Sequence, residues 1–89
     1  MFLHLGDNFS IRLSEVVSVH EYERMAATKA GQDFLSGAKE FLEDVSGGRA
    51  KSVVVTRHRI YLSRLSPGTL KKRADDSVFS VLSFGTEVF

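Results

Sequence analysis

The sequence of 89 residues contains no cysteine. Without thiols the chain cannot form a disulfide, a thiolate zinc site or a cysteine nucleophile. It has only one proline and seven glycines, which excludes collagen-like and proline-rich disordered chains. No apolar run approaches the ~20 residues that a membrane-spanning helix needs, and no basic region precedes an apolar stretch at the N-terminus. We therefore expect a soluble, cytoplasmic protein with no membrane partner.

The length of the chain allows only one hydrophobic core, so residues 1–89 are predicted to form a single domain. A domain of this size buries roughly 60–65% of the surface that its unfolded chain exposes, which leaves its stability marginal. Because disulfides are excluded, association between copies is the remaining way to bury more apolar surface. We therefore expect a homo-oligomer.

Acidic residues are missing from one long segment of the chain. Residues 49–73 contain eight lysines and arginines and no aspartate or glutamate, whereas residues 1–48 contain eight acidic and four basic residues. The net charge of +1 therefore hides a strong segregation of charge along the sequence. A segregated basic segment creates a local field that attracts polyanions even when the total charge is near zero.

The first third of the chain has the pattern of β-strands. Residues 2–5 and 9–13 alternate apolar and polar side chains, which is typical of half-buried strands. Residues 6–8 between them, Gly-Asp-Asn, favour a turn, so these segments are predicted to form a hairpin. Residues 15–22 are rich in valine and are predicted to form a third strand.

A helical period follows. From Thr28 onward the apolar residues recur at a spacing that places them on one face of a helix; they are Phe34, Leu35, Ala38, Phe41, Leu42 and Val45. The pattern predicts an amphipathic helix from about Thr28 to Phe41, with Thr28 as its N-cap. Residues 46–48, Ser-Gly-Gly, are then expected to form a flexible break.

The second half predicts another hairpin and a short helix. Residues 52–56 contain three consecutive valines, a pattern typical of a strand that is buried on both faces. The polar residues 57–59 separate this strand from another at 60–63. The pair Ser66-Pro67 is typical of a helix start, and it predicts a helix over residues 67–74.

Residues 75–89 are strongly apolar after their first acidic positions. Such a segment is prone to aggregate if it is left uncovered. We expect it to form a C-terminal strand or a tail that contacts another subunit. Together these patterns predict an α+β (α/β) fold: a small domain of β-hairpins with one central helix and a short second helix.

No catalytic or metal-binding pattern is present. The three histidines His4, His20 and His58 do not share the spacing of metal ligands. Residues 47–52 end in Lys-Ser, as phosphate-binding loops do, but they lead into a strand, whereas such a loop must lead into a helix N-terminus. We therefore predict a protein that is not an enzyme, with no cofactor, no metal and no small-molecule substrate.

The basic segment is more consistent with phosphate binding than with base reading. Arginine can donate two hydrogen bonds to one phosphate group, and lysine attracts phosphate as a point charge. Proteins that stack on bases place aromatic residues between their basic ones, and here Tyr61 is the only aromatic residue in the basic segment. Several subunits would have to display the segment together for useful affinity. The candidate nucleic-acid contacts are Arg49, Lys51, Arg57, Arg59, Lys71, Lys72 and Arg73.

Four short segments carry a resemblance to a known family. They are residues 3–6 (Leu-His-Leu-Gly), 53–56 (Val-Val-Val-Thr), 60–63 (Ile-Tyr-Leu-Ser) and 65–73 (Leu-Ser-Pro-Gly-Thr-Leu-Lys-Lys-Arg). Together they resemble the Rem family of bacterial extracellular matrix regulators, over most of residues 1–74. The match is closest to its RemB branch, and the Thr-Leu-Lys-Lys-Arg stretch is its specific part.

The resemblance implies a small cytoplasmic protein that assembles into rings. Its RemA relatives bind DNA and activate transcription of biofilm-matrix genes, and arginines in the loop before their Val-rich strand are implicated in DNA contact. Here that loop carries Arg49 and Lys51. Two positions depart from the DNA-binding relatives: Gly48 stands in place of an additional arginine, and Glu15 lies near the place of another basic residue. Both departures remove positive charge.

Two functional hypotheses follow. In the first, the protein is a transcriptional regulator of extracellular matrix genes that binds double-stranded DNA as a ring-shaped homo-oligomer. In the second, the ring is a protein-interaction scaffold without DNA binding, and the basic segment meets an acidic protein surface or the acidic half of the next subunit. Salt distinguishes them, because it would dissociate the DNA in the first case and the assembly in the second.

Overall fold

Two β-sheets and three α-helices form the part of the chain that the structure, a computed structural model, describes: residues 1–6 and 8–78. This mixed composition confirms the predicted α+β class. Two 3₁₀ turns lie at Leu13–Glu15 and Lys39–Phe41. The strands are β1 (Phe2–Gly6), β2 (Phe9–Arg12), β3 (Val16–Glu21), β4 (Leu42–Asp44), β5 (Ser52–Thr56) and β6 (Ile60–Ser63), and the helices are α1 (Tyr22–Ala26), α2 (Lys29–Gly37) and α3 (Pro67–Val78).

The strands form the two predicted hairpins and two pairings that the sequence does not predict, β3 with β5 and β4 with β6. Strands β1 and β2 are antiparallel and form a separate two-stranded sheet. The main sheet has the order β3-β5-β6-β4, in which β5 pairs antiparallel with both β3 and β6. Strand β4 pairs with β6 in parallel. Strands β3 and β4 therefore form the two edges of the main sheet.

Strand β5 lies at the centre of the core. Val53 and Val54 are both 0% exposed, and because successive side chains of a strand point to opposite faces, they enter two different clusters. Val54 packs with the β1–β2 hairpin and α3 on one face. Val53 packs on the other face with side chains of α1 and α2. The prediction that this strand is buried on both faces is therefore confirmed.

Helix α3 covers the face of the main sheet on which Val54 lies. Leu70 and Ala74, one helical turn apart, are its buried residues in the core. The helix begins at Pro67, as predicted, but it continues through Val78 instead of stopping at Ala74. Residues 75–78, where the sequence favours a strand or a tail, are thus helical. The rest of that segment, residues 79–89, lies outside the described residues.

A bulge in β3 allows two of its valines to share one face. The pairing with β5 shifts between Val16 and Ser18, so that Val17 has no partner residue. Without the extra residue Val16 and Val19 would point to opposite faces, whereas both are buried in the same cluster. Val17 is left 51% exposed at this sheet edge.

The central helical segment is more broken than its period suggests. Thr28 caps α2 as predicted, since its hydroxyl accepts a hydrogen bond from the Gly31 amide at 3.0 Å. The helix ends at Gly37, however, and a 3₁₀ turn at Lys39–Phe41 replaces the last part of the predicted helix. Strand β4 begins directly after it, at Leu42. The side chain of Leu42 still packs on the core, but it does so from a strand. Its apolar character therefore reflects burial and not a helical backbone.

Helix α1 is also absent from the sequence prediction, which ends the third strand at Tyr22. In the structure the strand ends at Glu21, and the Tyr22 amide donates to the Lys51 carbonyl at 2.9 Å. From α1, the side chains of Tyr22 and Met25 pack against the cluster that contains Val53.

Among the described residues no helix is long and apolar enough to cross a lipid bilayer.

The corner between α1 and α2 requires glycine at position 31. A Cβ atom built on Gly31 would lie 1.8 Å from the backbone oxygen of Met25, so any larger residue must push the two helices apart. We expect Gly31→Ala to lower the free energy of unfolding by about 1–3 kcal/mol, as overpacking does. Urea denaturation measures this change.

The matched control is Gly37→Ala in the same helix, where no atom lies within 4 Å of the added Cβ. There the higher helix propensity of alanine is expected to raise the free energy of unfolding, by up to ~1 kcal/mol. Equal stability of the two variants would contradict the tight α1–α2 corner.

Candidate nucleic-acid interface

The predicted basic residues are divided between the two ends of β5. Arg49 and Lys51, here the loop cluster, precede the strand. Arg57, His58 and Arg59, here the turn cluster, follow it. The five residues of β5 separate Lys51 from Arg57, and the six steps of extended chain between these two positions correspond to about 20 Å. The structure therefore does not bring the two clusters together.

A carboxylate builds the turn that precedes the loop cluster. Asp44, the last residue of β4, accepts hydrogen bonds from the Ser46 amide at 2.8 Å, from the Gly48 amide at 3.2 Å and from the Ser46 hydroxyl. The Ser46 oxygen in turn accepts from the Arg49 amide at 3.1 Å. The segment that the sequence predicts as a flexible break is thus a hydrogen-bonded turn.

Two consecutive glycines give this turn its shape. Gly47 and Gly48 have φ angles of 67° and 83°, in the left-handed region that side chains other than glycine rarely adopt. Glycine at position 48, where the resemblance implies a loss of positive charge, therefore suits the backbone conformation of this turn. The turn positions Arg49 with an exposed side chain.

The backbone of Lys51 is held between two elements while its side chain is exposed. Its amide donates to the Ser63 carbonyl at 2.8 Å, and its carbonyl accepts from the Tyr22 amide. Arg64 follows directly after Ser63, so it lies at the same end of the sheet. Arg64 is not among the contacts predicted from sequence, because only the pairing of Lys51 with β6 places it there.

A cleft of about 380 Å³ opens beside the loop cluster. Its lining combines both cations with two carboxylates, from Glu21 and Glu23, and it reaches the start of α3 at Ser66 and Pro67. Among the described residues neither carboxylate forms an ion pair with Arg49 or Lys51 within 4.0 Å. Both cations therefore remain available to an external anion, although the two carboxylates lower the positive potential of the cleft.

The cations of α3 continue from this cleft. Ser66 caps the helix by accepting a hydrogen bond from the Thr69 amide at 3.2 Å. The predicted residues Lys71, Lys72 and Arg73 follow the first helical residue by four to six positions, a rise of about 6–9 Å. Lys72 and Arg73 are exposed, whereas Lys71 is half-buried beside the core residue Leu70.

The turn cluster has a rigid backbone of its own. The buried hydroxyl of Thr56 accepts hydrogen bonds from the amides of His58 and Arg59 and donates to the Arg59 carbonyl at 2.6 Å. The Arg57 amide donates to the Glu15 carbonyl at 3.2 Å. The acidic residue Glu15 therefore lies at the turn cluster and not at the loop cluster.

Two exposed phenylalanines lie beside the turn cluster. Phe34 is 42% and Phe41 is 55% exposed, although the helical period predicts both on a buried face. With Val55, Ile60 and the turn cluster they line a shallow groove of about 280 Å³. Because α2 ends at Gly37, the apolar face that the sequence predicts as continuous is interrupted, and these two rings reach the surface.

The histidines do not form a shared site. His20 is hydrogen-bonded to the Ser18 hydroxyl at 2.8 Å on β3, while His4 and His58 lie exposed on other elements. Within residues 1–6 and 8–78 no three acidic or histidine side chains are grouped closely enough to hold a metal ion.

The Asp44 carboxylate has a pKa below its ordinary value of 3.8, chiefly because the Ser46 hydroxyl donates to it, and the Ser46 and Gly48 amides act in the same direction. Since the folded pKa is depressed, this carboxylate stabilises the fold above pH 3.8, and that contribution is lost as the pH falls through the lowered pKa.

We expect Asp44→Asn to be less stable than the wild type at neutral pH, because the neutral amide binds the turn more weakly. The difference in the free energy of unfolding should shrink as the pH falls below 3.8. Urea denaturation of both proteins between pH 7 and about pH 2.5 measures it. A difference that stays constant down to the lowest pH would show that Asp44 does not hold the turn as a carboxylate.

Comparison with known proteins agrees with the resemblance found in the sequence. Residues 2–74 match the family model described as RemA-like, extracellular matrix regulatory protein A-like. The chain is also 36% identical to extracellular matrix regulatory protein B of Bacillus subtilis (strain 168) over 74 residues, which cover 83% of this chain and 90% of that protein. The family match includes β1 to β6 and most of α3 and contains the loop and turn clusters. The chain therefore belongs to the RemA-like family of extracellular matrix regulatory proteins.

Proposed function

We propose that this protein is a cytoplasmic, DNA-binding regulator of extracellular matrix genes that acts as a ring-shaped homo-oligomer. The regulatory role is supported by the family and by the name of the Bacillus subtilis relative. The observation that carries DNA binding is the loop cluster: two exposed cations on a backbone that hydrogen bonds hold in place.

The loop cluster suits phosphate binding for a physical reason. Ordering a flexible loop costs conformational entropy at the moment of binding. Here the turn at Asp44 and the hydrogen bonds to the Lys51 backbone already order the loop in the folded protein, so binding does not add this loss of backbone entropy. Only the side chains of Arg49 and Lys51 have to be ordered when they contact phosphate oxygens. Such contacts fix position on the duplex and do not read sequence.

The ring supplies what one subunit lacks. Arg49, Lys51, Lys72 and Arg73 give a single chain only a few phosphate contacts, with Lys71 half-buried beside them. Display of the same cations by several linked subunits raises the effective affinity, because each later contact is intramolecular. Arg57 and Arg59 lie about 20 Å from the loop cluster, so they would engage a different stretch of any bound duplex.

A second candidate function is a protein-interaction ring that does not bind DNA. The specific observation in its favour is the position of Glu21 and Glu23, which line the same cleft as Arg49 and Lys51. A mixed-charge cleft suits a protein surface that carries both signs, whereas it repels part of a phosphate backbone. Gly48 and Glu15 also favour this second candidate, because each stands where the resemblance places a basic residue, so two positive charges are missing.

The test is DNA affinity across a salt series with Arg49→Ala and Lys51→Ala combined. Each phosphate contact that is lost should reduce the slope of log K against log salt by about 0.9, and binding should weaken on all sequences alike. The matched control combines Lys29→Ala with Lys39→Ala, which removes the same charge from exposed positions on and after α2. The control should retain the wild-type slope within error.

Two results would reject the assignment. If both double variants lose affinity equally, the effect comes from net charge and not from the loop cluster. If the wild type is an intact oligomer that does not bind DNA even at low salt, the protein-interaction ring becomes the better explanation. Light scattering in the same buffers separates loss of DNA binding from loss of assembly.

A further inference from the structure

We propose that the groove beside the turn cluster binds residues 79–89 of a second copy of this chain. The inference rests on the assembly that the proposed function requires, and it assigns one surface and one segment to that assembly. It does not require that DNA is bound.

The acceptor surface is apolar at its floor and basic at its rim. Phe34 and Phe41 expose 42% and 55% of their surface beside Val55 and Ile60. Adjoining apolar side chains that remain exposed on a small domain mark an interaction site. The turn cluster surrounds this floor, and no ion pair engages its arginines within the described residues. The groove therefore fits a segment that is apolar and carries negative charge.

Residues 79–89 have that composition. The segment contains one acidic residue, Glu87, and no basic residue. Asp75 and Asp76 lie four and three residues before it, in α3. Its apolar residues make up six of its eleven positions: Phe79, Val81, Leu82, Phe84, Val88 and Phe89. The apolar side chains complement the floor of the groove, and the carboxylates complement its rim.

The positions of donor and acceptor favour a second copy over the same chain. Helix α3, from which the segment continues, packs through Leu70 on the face of the main sheet that holds Val54. The groove lies on the opposite face, because Ile60, which lines it, belongs to the cluster that contains Val53. A segment that continues from a helix on one face and a groove on the opposite face favour head-to-tail association, and such contacts close into rings when the rotation between subunits permits.

The experiment compares two full-length variants by light scattering in the absence of DNA. The groove variant combines Phe34→Ser with Phe41→Ser, and the segment variant combines Leu82→Ser with Phe84→Ser. Each should weaken self-association by about tenfold or more, as loss of buried apolar anchors does. The matched control, Phe34→Leu with Phe41→Leu, keeps the groove apolar and should retain most of the assembly.

Mixing the two variants gives the sharper result. The groove variant keeps an intact segment and the segment variant keeps an intact groove, so a 1:1 mixture should form a two-chain complex that neither forms alone. If the mixture stays dissociated, if either variant retains wild-type mass, or if the wild type is itself a monomer, the proposal is wrong. A segment that folds onto its own groove would give the last of these results.

Charge reversal at the exposed rim tests the same contact without altering apolar residues. Arg57→Glu with Arg59→Glu should dissociate the assembly, and Glu87→Arg in the same chain should restore part of it. If reversal lowers DNA affinity and leaves the mass unchanged, the groove binds nucleic acid and the proposal is overturned. The Arg49 and Lys51 double variant should assemble normally, so failure of DNA binding and failure of this contact remain distinguishable.

Discussion

The burial of β5 on both faces is the constraint on which the rest of the structure depends. Val53 and Val54 must each be covered by a separate layer, so α1 and α2 pack on one side and the β1–β2 hairpin and α3 on the other. Polar residues can then reach solvent only where the strand ends. That is why the cations that flank β5 are displayed as two clusters, one at each end of the strand, and not as one continuous basic face.

Each of these clusters depends on a single polar side chain next to it. Asp44 fixes the turn before Arg49, and the Thr56 hydroxyl fixes the turn that carries Arg57 and Arg59. Both side chains satisfy backbone amides that would otherwise lack partners at a sheet end. The protein thus presents its cations on short, ordered turns, and the same hydrogen bonds that complete the fold also prepare the surface.

Local signals in the sequence were sufficient for much of this architecture. The turn after Gly6, the triple valine of β5 and the cap at Thr28 are encoded by neighbouring residues, and each was predicted. Strand β4 was not, because Leu42 fits a helical period and its pairing with β6 depends on residues far along the chain. The exposure of Phe34 and Phe41 was missed for the same reason, whereas the separation of the loop and turn clusters follows from the predicted strand 52–56 between them.

The parallel pairing of β4 with β6 also determines when the loop cluster can form during synthesis. Leu42 pairs with Ile60, and the backbone of Lys51 is held by Ser63. A nascent chain that has not yet emerged from the ribosome as far as Ser63 contains Arg49 and Lys51 but lacks the strand that holds the backbone of Lys51. The anion-binding surface is therefore completed late in translation, after the acidic half of the chain is already present.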